Sequence, residues 1–194
     1  MNNISIQKVR VLKKRKFTPH HVLIGAAEMG LEDAERKNPG CFYNQFTAIT
    51  FSALALEAIA NAFGEKFVAD WDDFENGKPI AKFRIICTHL KVDADFNIEP
   101  WTTAKWLMKV RNKIAHAKPE MINFDKTMTK DESEKICRQL PLSKLEEEIN
   151  LENARRAIKS VKQIQELFLL KISFEDIDAE NLFSDGFSGS ISPC

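Results

Sequence analysis

The segment Arg111-Asn112-Lys-Ile-Ala-His116 combines a cation, an amide and a titratable ring within a short stretch of predicted helix. At about 100° per residue, Asn112 and His116 lie one turn apart on one face, and Arg111 lies about 140° from His116. A histidine can accept or donate a proton near neutral pH, and a fixed guanidinium can stabilise developing negative charge. Arg111, Asn112 and His116 are therefore candidates for general acid-base and electrostatic catalysis.

The same residue types also occur in purely structural roles. A histidine in the last turn before Pro119 interacts favourably with the helix dipole, and an arginine on a packed helix often forms a surface ion pair. On this predicted helix, one arc of positions lies beside the apolar face that is expected to pack against the core. This arc mixes apolar and polar side chains, whereas a solvent-exposed face would carry mostly charged residues. That arc comprises Arg111, Ala104, Ala115, Met108, Asn112 and His116. Its mixed character favours a functional or contact surface.

The elements that must position these residues are helices. Apolar residues at spacings of three and four predict five long segments, namely Pro19 to Lys37, Tyr43 to Phe63, Pro79 to about Lys91, Trp101 to Lys118 and Leu151 to Leu170. Local signals support them: Thr18 is the expected N-cap of the first segment, and Gly64 the expected end of the second. Two capping boxes, Thr129 to Glu132 and Ser143 to Glu146, predict short additional helices. We expect an all-α antiparallel bundle of four or five long helices.

Length and charge predict one domain with two tails. The chain has 194 residues, and its 28 basic and 28 acidic side chains cancel, so any nucleic-acid binding must be local. We expect a basic N-terminal arm over residues 1–17, a helical bundle over 18–172, and an acidic, flexible tail over 173–194 that is disordered from Ser184. The arm is either a short strand or unstructured. Its cations are candidate contacts to a nucleic-acid backbone or an ordinary solvated terminus, and they include Lys13, Lys14, Arg15 and Lys16.

Several classes of site and location are disfavoured. No apolar run of membrane-spanning length and no secretory signal are evident, so we expect a cytoplasmic protein without membrane contact. The four cysteines form no Cys-x-x-Cys pair and are expected to be reduced. Cys87-Thr-His89 and His20-His21 lack companion ligands, so no metal or other cofactor is expected. A glycine-rich phosphate loop is also missing from the sequence, which disfavours nucleotide kinases and dehydrogenases.

The Arg111 to His116 segment, late in a helical bundle, resembles the signature of the HEPN superfamily, in which an arginine, usually followed by a polar residue, precedes a histidine by a few positions. The earlier segment Phe51-Ser-Ala-Leu-Ala-Leu-Glu57-Ala-Ile-Ala-Asn61-Ala-Phe63 is similar to the family helix that commonly presents a polar or acidic residue toward that motif. The resemblance covers roughly residues 19 to 170. It implies a HEPN-like bundle that dimerises so that two motifs meet in a cleft.

Many members of that family are metal-independent endoribonucleases, some of them toxins or phage-defence proteins. The resemblance implies that His116 transfers protons, Arg111 stabilises charge on phosphate, Asn112 orients one of them, and Glu57 holds Arg111. The expected partners are a second copy of the chain, RNA and an antitoxin protein. Two alternatives remain open: a non-catalytic HEPN-like dimeric adaptor or RNA-binding protein, and a regulatory subunit that recognises protein through the Leu151 to Leu170 helix.

Overall fold

A computed structural model of the chain describes residues 9–36, 40–136, 140–172 and 187–193. The protein is mostly helical, as the sequence predicts. Within the described residues the elements are β1 (Val9–Arg15), α1 (His20–Glu35), α2 (Cys41–Phe67), α3 (Asp72–Glu75), α4 (Pro79–His89), α5 (Trp101–Ala115), α6 (Lys130–Ile136), α7 (Lys144–Glu148), α8 (Leu151–Leu169) and β2 (Phe187–Pro193).

Helix α2 is the centre of the packing. It contacts α1, α4, α5 and α8, and its inward face consists of alanines interleaved with larger apolar residues. Ile49, Leu56 and Phe63 on that face are fully buried. Gly30 of α1 permits a close crossing, because a Cβ at that position would lie 3.0 Å from the backbone nitrogen of Ala48. Small residues on both helices therefore bring α1 against α2.

An aromatic cluster ties the ends of four helices together. The ring of Phe168 in α8 lies 5.1 Å from Phe63 in α2, 6.1 Å from Phe83 in α4 and 6.2 Å from Trp101 in α5, measured between ring centroids. Tilted rings at these separations gain favourable edge and face contacts in addition to burial. All four side chains are at least nine-tenths buried, so this cluster fixes α5 relative to α2.

Helix α2 corrects the expectation that no segment has the length and composition of a membrane span. Its 27 residues include an 18-residue window with a mean hydropathy of 1.5. Threonine and serine interrupt its apolar runs but carry no charge, so the average stays high. Half of that window is buried inside the protein, and the packing of α2 against four other helices requires the same composition.

Several predicted helix ends shift. Pro19, rather than Thr18, occupies the N-cap position of α1, and no side chain caps it. Helix α2 continues past Gly64 to Phe67, because Gly64 lies inside the helix where the Trp71 ring packs in place of a side chain. Helix α5 ends at Ala115, ahead of Lys118, whose position before proline disfavours helical backbone.

Both predicted capping boxes are confirmed, whereas α3 falls between two predicted helices, where no helix was predicted. Ser143 and Glu146 exchange hydrogen bonds with each other's backbone N–H at the start of α7. Thr129 and Glu132 form the same reciprocal pair before α6. Helix α3 spans four residues, too short for the apolar periodicity by which the longer helices were predicted.

The two ends of the chain form an antiparallel ribbon. Strand β1 pairs with β2 in a register that places Val9 opposite Pro193 and Arg15 opposite Phe187. The choice between strand and unstructured arm is thus resolved in favour of a strand over Val9–Arg15. The expectation of a disordered end is wrong for Phe187–Pro193, because backbone pairing with the other terminus compensates for weak strand propensity. The remainder of the expected arm and tail, residues 1–8, 173–186 and 194, lies outside the described residues, as do 37–39 and 137–139.

A buried histidine lies at the start of α1. His20 is fully buried, and neither ring nitrogen has a hydrogen-bond partner within the part of the chain that the structure describes. Its ring centroid is 4.0 Å from that of His21. Burial, and to a lesser extent the neighbouring His21, lower the pKa of His20 from its ordinary 6.5 to about 4.

This burial predicts a pH-dependent stability. Between pH 6.5 and about 4 the unfolded chain binds a proton at His20 that the folded chain does not, so the free energy of unfolding falls as the pH falls through that window. The loss attributable to His20 should reach at most about 3 kcal/mol. His20→Leu should remove it, as measured by urea unfolding at pH 7 and pH 4.5. His89→Leu, at an exposed position, is the control, and an unchanged pH dependence in His20→Leu would contradict the assignment.

Candidate functional site

Arg111 and Glu57 meet across two helices. The Nη2 atom of Arg111 in α5 donates to Oε2 of Glu57 in α2 over 2.6 Å. Glu57 is the only charged residue of α2 before Glu65. A partly buried charge is costly without a partner, and the cation on the facing helix neutralises it. The two side chains are 32% and 25% exposed, which places the pair at the edge of the core.

Asn112 holds the same guanidinium from a second direction. Its Oδ1 accepts a hydrogen bond from Nη1 of Arg111 at 3.0 Å, and its own side chain is on the exposed side of the helix. A guanidinium has more N–H donors than these two bonds use. Arg111 is thus fixed in position by a carboxylate and an amide, and it retains donors with which it can bind an anion.

His116 is the last residue of the candidate site and lies at the C-terminal end of α5. It is the C-cap residue, and its backbone N–H donates to the carbonyl of Asn112 at 3.1 Å. The residue is exposed, and no hydrogen bond links its ring to another side chain among the residues that the structure describes. The structure therefore brings Arg111, Asn112 and Glu57 into direct contact, whereas the His116 ring remains accessible to a ligand.

The mixed arc on α5 is divided by the fold. Ala104 is fully buried and Met108 is 6% exposed, because α5 packs against both α2 and α8. These apolar members belong to the core of the single chain, which corrects the interpretation of the whole arc as a functional or contact surface. The exposed members are Asn112, Ala115 and His116, and they lie together at the C-terminal end of the helix.

The predicted basic contacts lie on β1 and immediately after it. Lys13 and Lys14 are exposed on the strand. The Arg15 guanidinium lies 5.3 Å from the ring centroid of Phe17, a cation-π contact. Lys16 forms an ion pair with Glu65 at 3.0 Å, which ties the end of the basic strand to α2. The basic segment is therefore positioned beside the helix that carries Glu57.

Sequence reasoning missed a cleft next to the ion pair. Its volume is about 690 Å³, and it lies between the segment after β1, helix α1 and the C-terminal half of α2. Glu57, Asn61 and Glu65 lie one turn apart on α2 and all line it. This spacing of polar residues along an apolar helix is the signal in the sequence that could have revealed the cleft. The complete lining is Lys16, Phe17, Thr18, Pro19, Leu23, Leu54, Glu57, Ala58, Asn61, Ala62, Glu65 and Lys66.

The remaining candidates for chemistry show no assembled site. Within the described ranges, no three His, Cys, Asp or Glu side chains are grouped so that they could hold a metal ion. Cys87 is buried, and burial raises the pKa of its thiol to about 12 although Arg84 acts in the opposite direction. This thiol is protonated at neutral pH and a poor nucleophile. Cys41 is a free, exposed thiol, and Cys137 and Cys194 lie outside the described residues.

Comparison of the chain with protein-family models, with curated proteins and with solved structures finds no match. The geometry of the site itself is therefore the basis for its function.

The pairing of Arg111 with Glu57 predicts a measurable coupling energy. In a double-mutant cycle with Arg111→Ala and Glu57→Ala, we expect about 1 kcal/mol in the free energy of unfolding, because the pair is partly shielded from water. Urea unfolding of the four proteins gives the value. The ion pair between Lys16 and Glu65, whose side chains are 59% and 63% exposed, is the control and should give markedly less. Equal coupling in the two cycles would contradict a positioning role for Glu57.

Proposed function

We propose that the protein is a metal-independent endoribonuclease of the HEPN type, which acts as a cytoplasmic homodimer of antiparallel bundles in the manner of a toxin or phage-defence component. The observation that carries the proposal is the fixed guanidinium of Arg111, held by Glu57 from a second helix, a short distance along α5 from the accessible His116. A positioned cation and an accessible acid-base group are two of the groups that cleavage of a phosphodiester requires.

In this mechanism His116 accepts the proton of a ribose 2′-hydroxyl. The 2′-oxygen attacks the neighbouring phosphorus, and the bond from phosphorus to the 5′-oxygen of the next nucleotide breaks. The products are a 2′,3′-cyclic phosphate and a 5′-hydroxyl, which receives a proton from a general acid. Arg111 donates hydrogen bonds to the phosphate oxygens as negative charge increases in the pentavalent transition state. Asn112 and Glu57 orient that guanidinium.

The proton balance favours a dimer. A histidine that has just accepted a proton on one side of the phosphate cannot at the same time protonate the leaving oxygen on the opposite side. Each chain supplies one His116, so a second copy placed across the cleft would complete the acid-base pair. The exposed end of α5, with Asn112, Ala115 and His116, is the part of the motif helix that remains for such a contact.

A second candidate is a non-catalytic HEPN-like dimeric adaptor or RNA-binding protein. It is favoured by the same ion pair, because a contact between Glu57 and Arg111 joins α2 to α5 whether or not the guanidinium ever binds phosphate. In that case the exposed His116 would have no chemical role.

Cleavage of an end-labelled single-stranded RNA separates the two candidates. His116→Ala should slow cleavage by at least about 100-fold, because general acid-base catalysis contributes that much or more. Arg111→Ala should cause a comparable loss of rate through unshielded phosphate charge. EDTA should leave the wild-type rate unchanged, and the products should end in a cyclic phosphate.

His89→Ala is the matched control, because His89 is likewise exposed in the last turn of a helix but lies on α4. It should cleave as the wild type does. All variants are compared by circular dichroism to verify folding. Equal cleavage by wild type and His116→Ala would contradict the mechanism, and no cleavage by the wild type on several RNAs would favour the adaptor.

The proposed acid-base pair also predicts the oligomeric state. Light scattering at micromolar concentration should give about twice the chain mass of 22.2 kDa. A monomer that cleaves RNA at an undiminished rate on dilution would contradict the sharing of two His116 side chains.

A further inference from the structure

The cleft beside Glu57 is lined by both aliphatic and polar residues. Leu23 of α1 and Leu54, Ala58 and Ala62 of α2 provide its apolar lining. Its volume of about 690 Å³ is ample for one planar heterocycle with its sugar. Glu57 lines the cleft and accepts a hydrogen bond from Arg111, so a group bound beside Glu57 is separated from that guanidinium by one side chain.

Asn61 presents hydrogen-bond donors in this cleft. Lys82 is 2% exposed, and its Nζ donates to Oδ1 of Asn61 at 2.8 Å. An ammonium can only donate, so this contact fixes which branch of the amide faces Lys82. The amide nitrogen of Asn61 must occupy the other branch, and it has no partner among the residues that the structure describes. A buried lysine thereby fixes the orientation of an amide that lines the cleft and whose N–H groups remain available to a ligand.

Phe17 supplies an aromatic surface at the mouth of the cleft. Its side chain is 54% exposed although it lines the cleft, and the guanidinium of Arg15 lies over its ring. An exposed aromatic ring beside cations is the usual platform on which nucleobases stack in proteins that bind single-stranded RNA.

The charges around the cleft match a polyanion. Its two carboxylates are each paired with a cation, Glu57 with Arg111 and Glu65 with Lys16. The exposed Lys13 and Lys14 lie on the strand that leads into the cleft. A strand of RNA could follow these cations and reach Arg111 with its phosphate while one base enters the apolar slot.

We infer that this cleft binds the nucleobase next to the scissile phosphate, with Phe17 stacking on the base and the Asn61 amide donating to a base carbonyl. This inference rests on the proposed ribonuclease function and extends it to substrate selection. At position 4 uracil carries a carbonyl acceptor where cytosine carries an amine, so a donor that faces this position favours uridine over cytidine.

The test uses Asn61→Asp, which keeps an oxygen for Lys82 and replaces the amide donor by an acceptor. Binding of uridine and cytidine 3′-monophosphates to the full chain is measured by isothermal titration calorimetry. The ratio of uridine to cytidine affinity should fall about tenfold in Asn61→Asp. Phe17→Ala should weaken binding of both nucleotides about tenfold, and Phe17→Trp should restore it. Phe124→Ala, an exposed aromatic outside the cleft, is the control and should bind as the wild type does.

The outcomes separate this inference from the proposed function. Nucleotide binding that depends on Phe17 and Asn61, in a protein that cleaves no RNA, would support the cleft as a nucleotide site and contradict the ribonuclease. Cleavage that depends on His116, with nucleotide affinity and base preference unchanged in Phe17→Ala and Asn61→Asp, would overturn the inference and leave the ribonuclease standing. Circular dichroism checks each variant, and Phe17→Leu replaces Phe17→Ala if the latter does not fold.

Discussion

The ion pair between Arg111 and Glu57 is the contact on which the candidate site depends. It places a carboxylate at the edge of the core on α2, the helix that contacts α1, α4, α5 and α8, and gives it a cationic partner on α5. Removing either side chain would leave the other charge partly shielded from water without compensation. The ion pair fixes the position of the Arg111 guanidinium relative to α2. Because α2 also lines the cleft and contacts the end of the basic strand, the guanidinium is fixed relative to both.

Packing around α2 explains why these parts lie together. The cluster centred on Phe168 sets the position of α5 against α2, so Arg111 reaches Glu57 from the adjacent helix. One turn along α2 from Glu57, buried Lys82 holds Asn61 in a defined orientation. One turn further, Glu65 anchors the end of the basic strand through Lys16. Three polar positions on one apolar helix thus organise the whole face.

The sequence predicts local features well and long-range contacts poorly. The capping boxes were predictable because each involves residues three positions apart, and the helices because apolar spacing reflects one buried face. The continuation of α2 through Gly64 was not predictable from the sequence, because it depends on Trp71 filling the space that a side chain at Gly64 would occupy. Burial of Met108 and the pairing of β1 with β2 likewise depend on distant residues. The contact between Glu57 and Arg111 was an expectation from family resemblance, and neither helix alone specifies it.

The proposed mechanism requires that Arg111, positioned by Glu57, and His116 bind one scissile phosphate. Nitrogen NMR of the His116 ring and the Arg111 guanidinium tests it directly, during titration with an RNA whose 2′-hydroxyls are methylated and which therefore cannot be cleaved. We predict that both sets of signals shift together in the wild type, and that the Arg111 shift is lost in Glu57→Gln. Shifts confined to other residues, or an Arg111 response that is identical in Glu57→Gln, would contradict the claim.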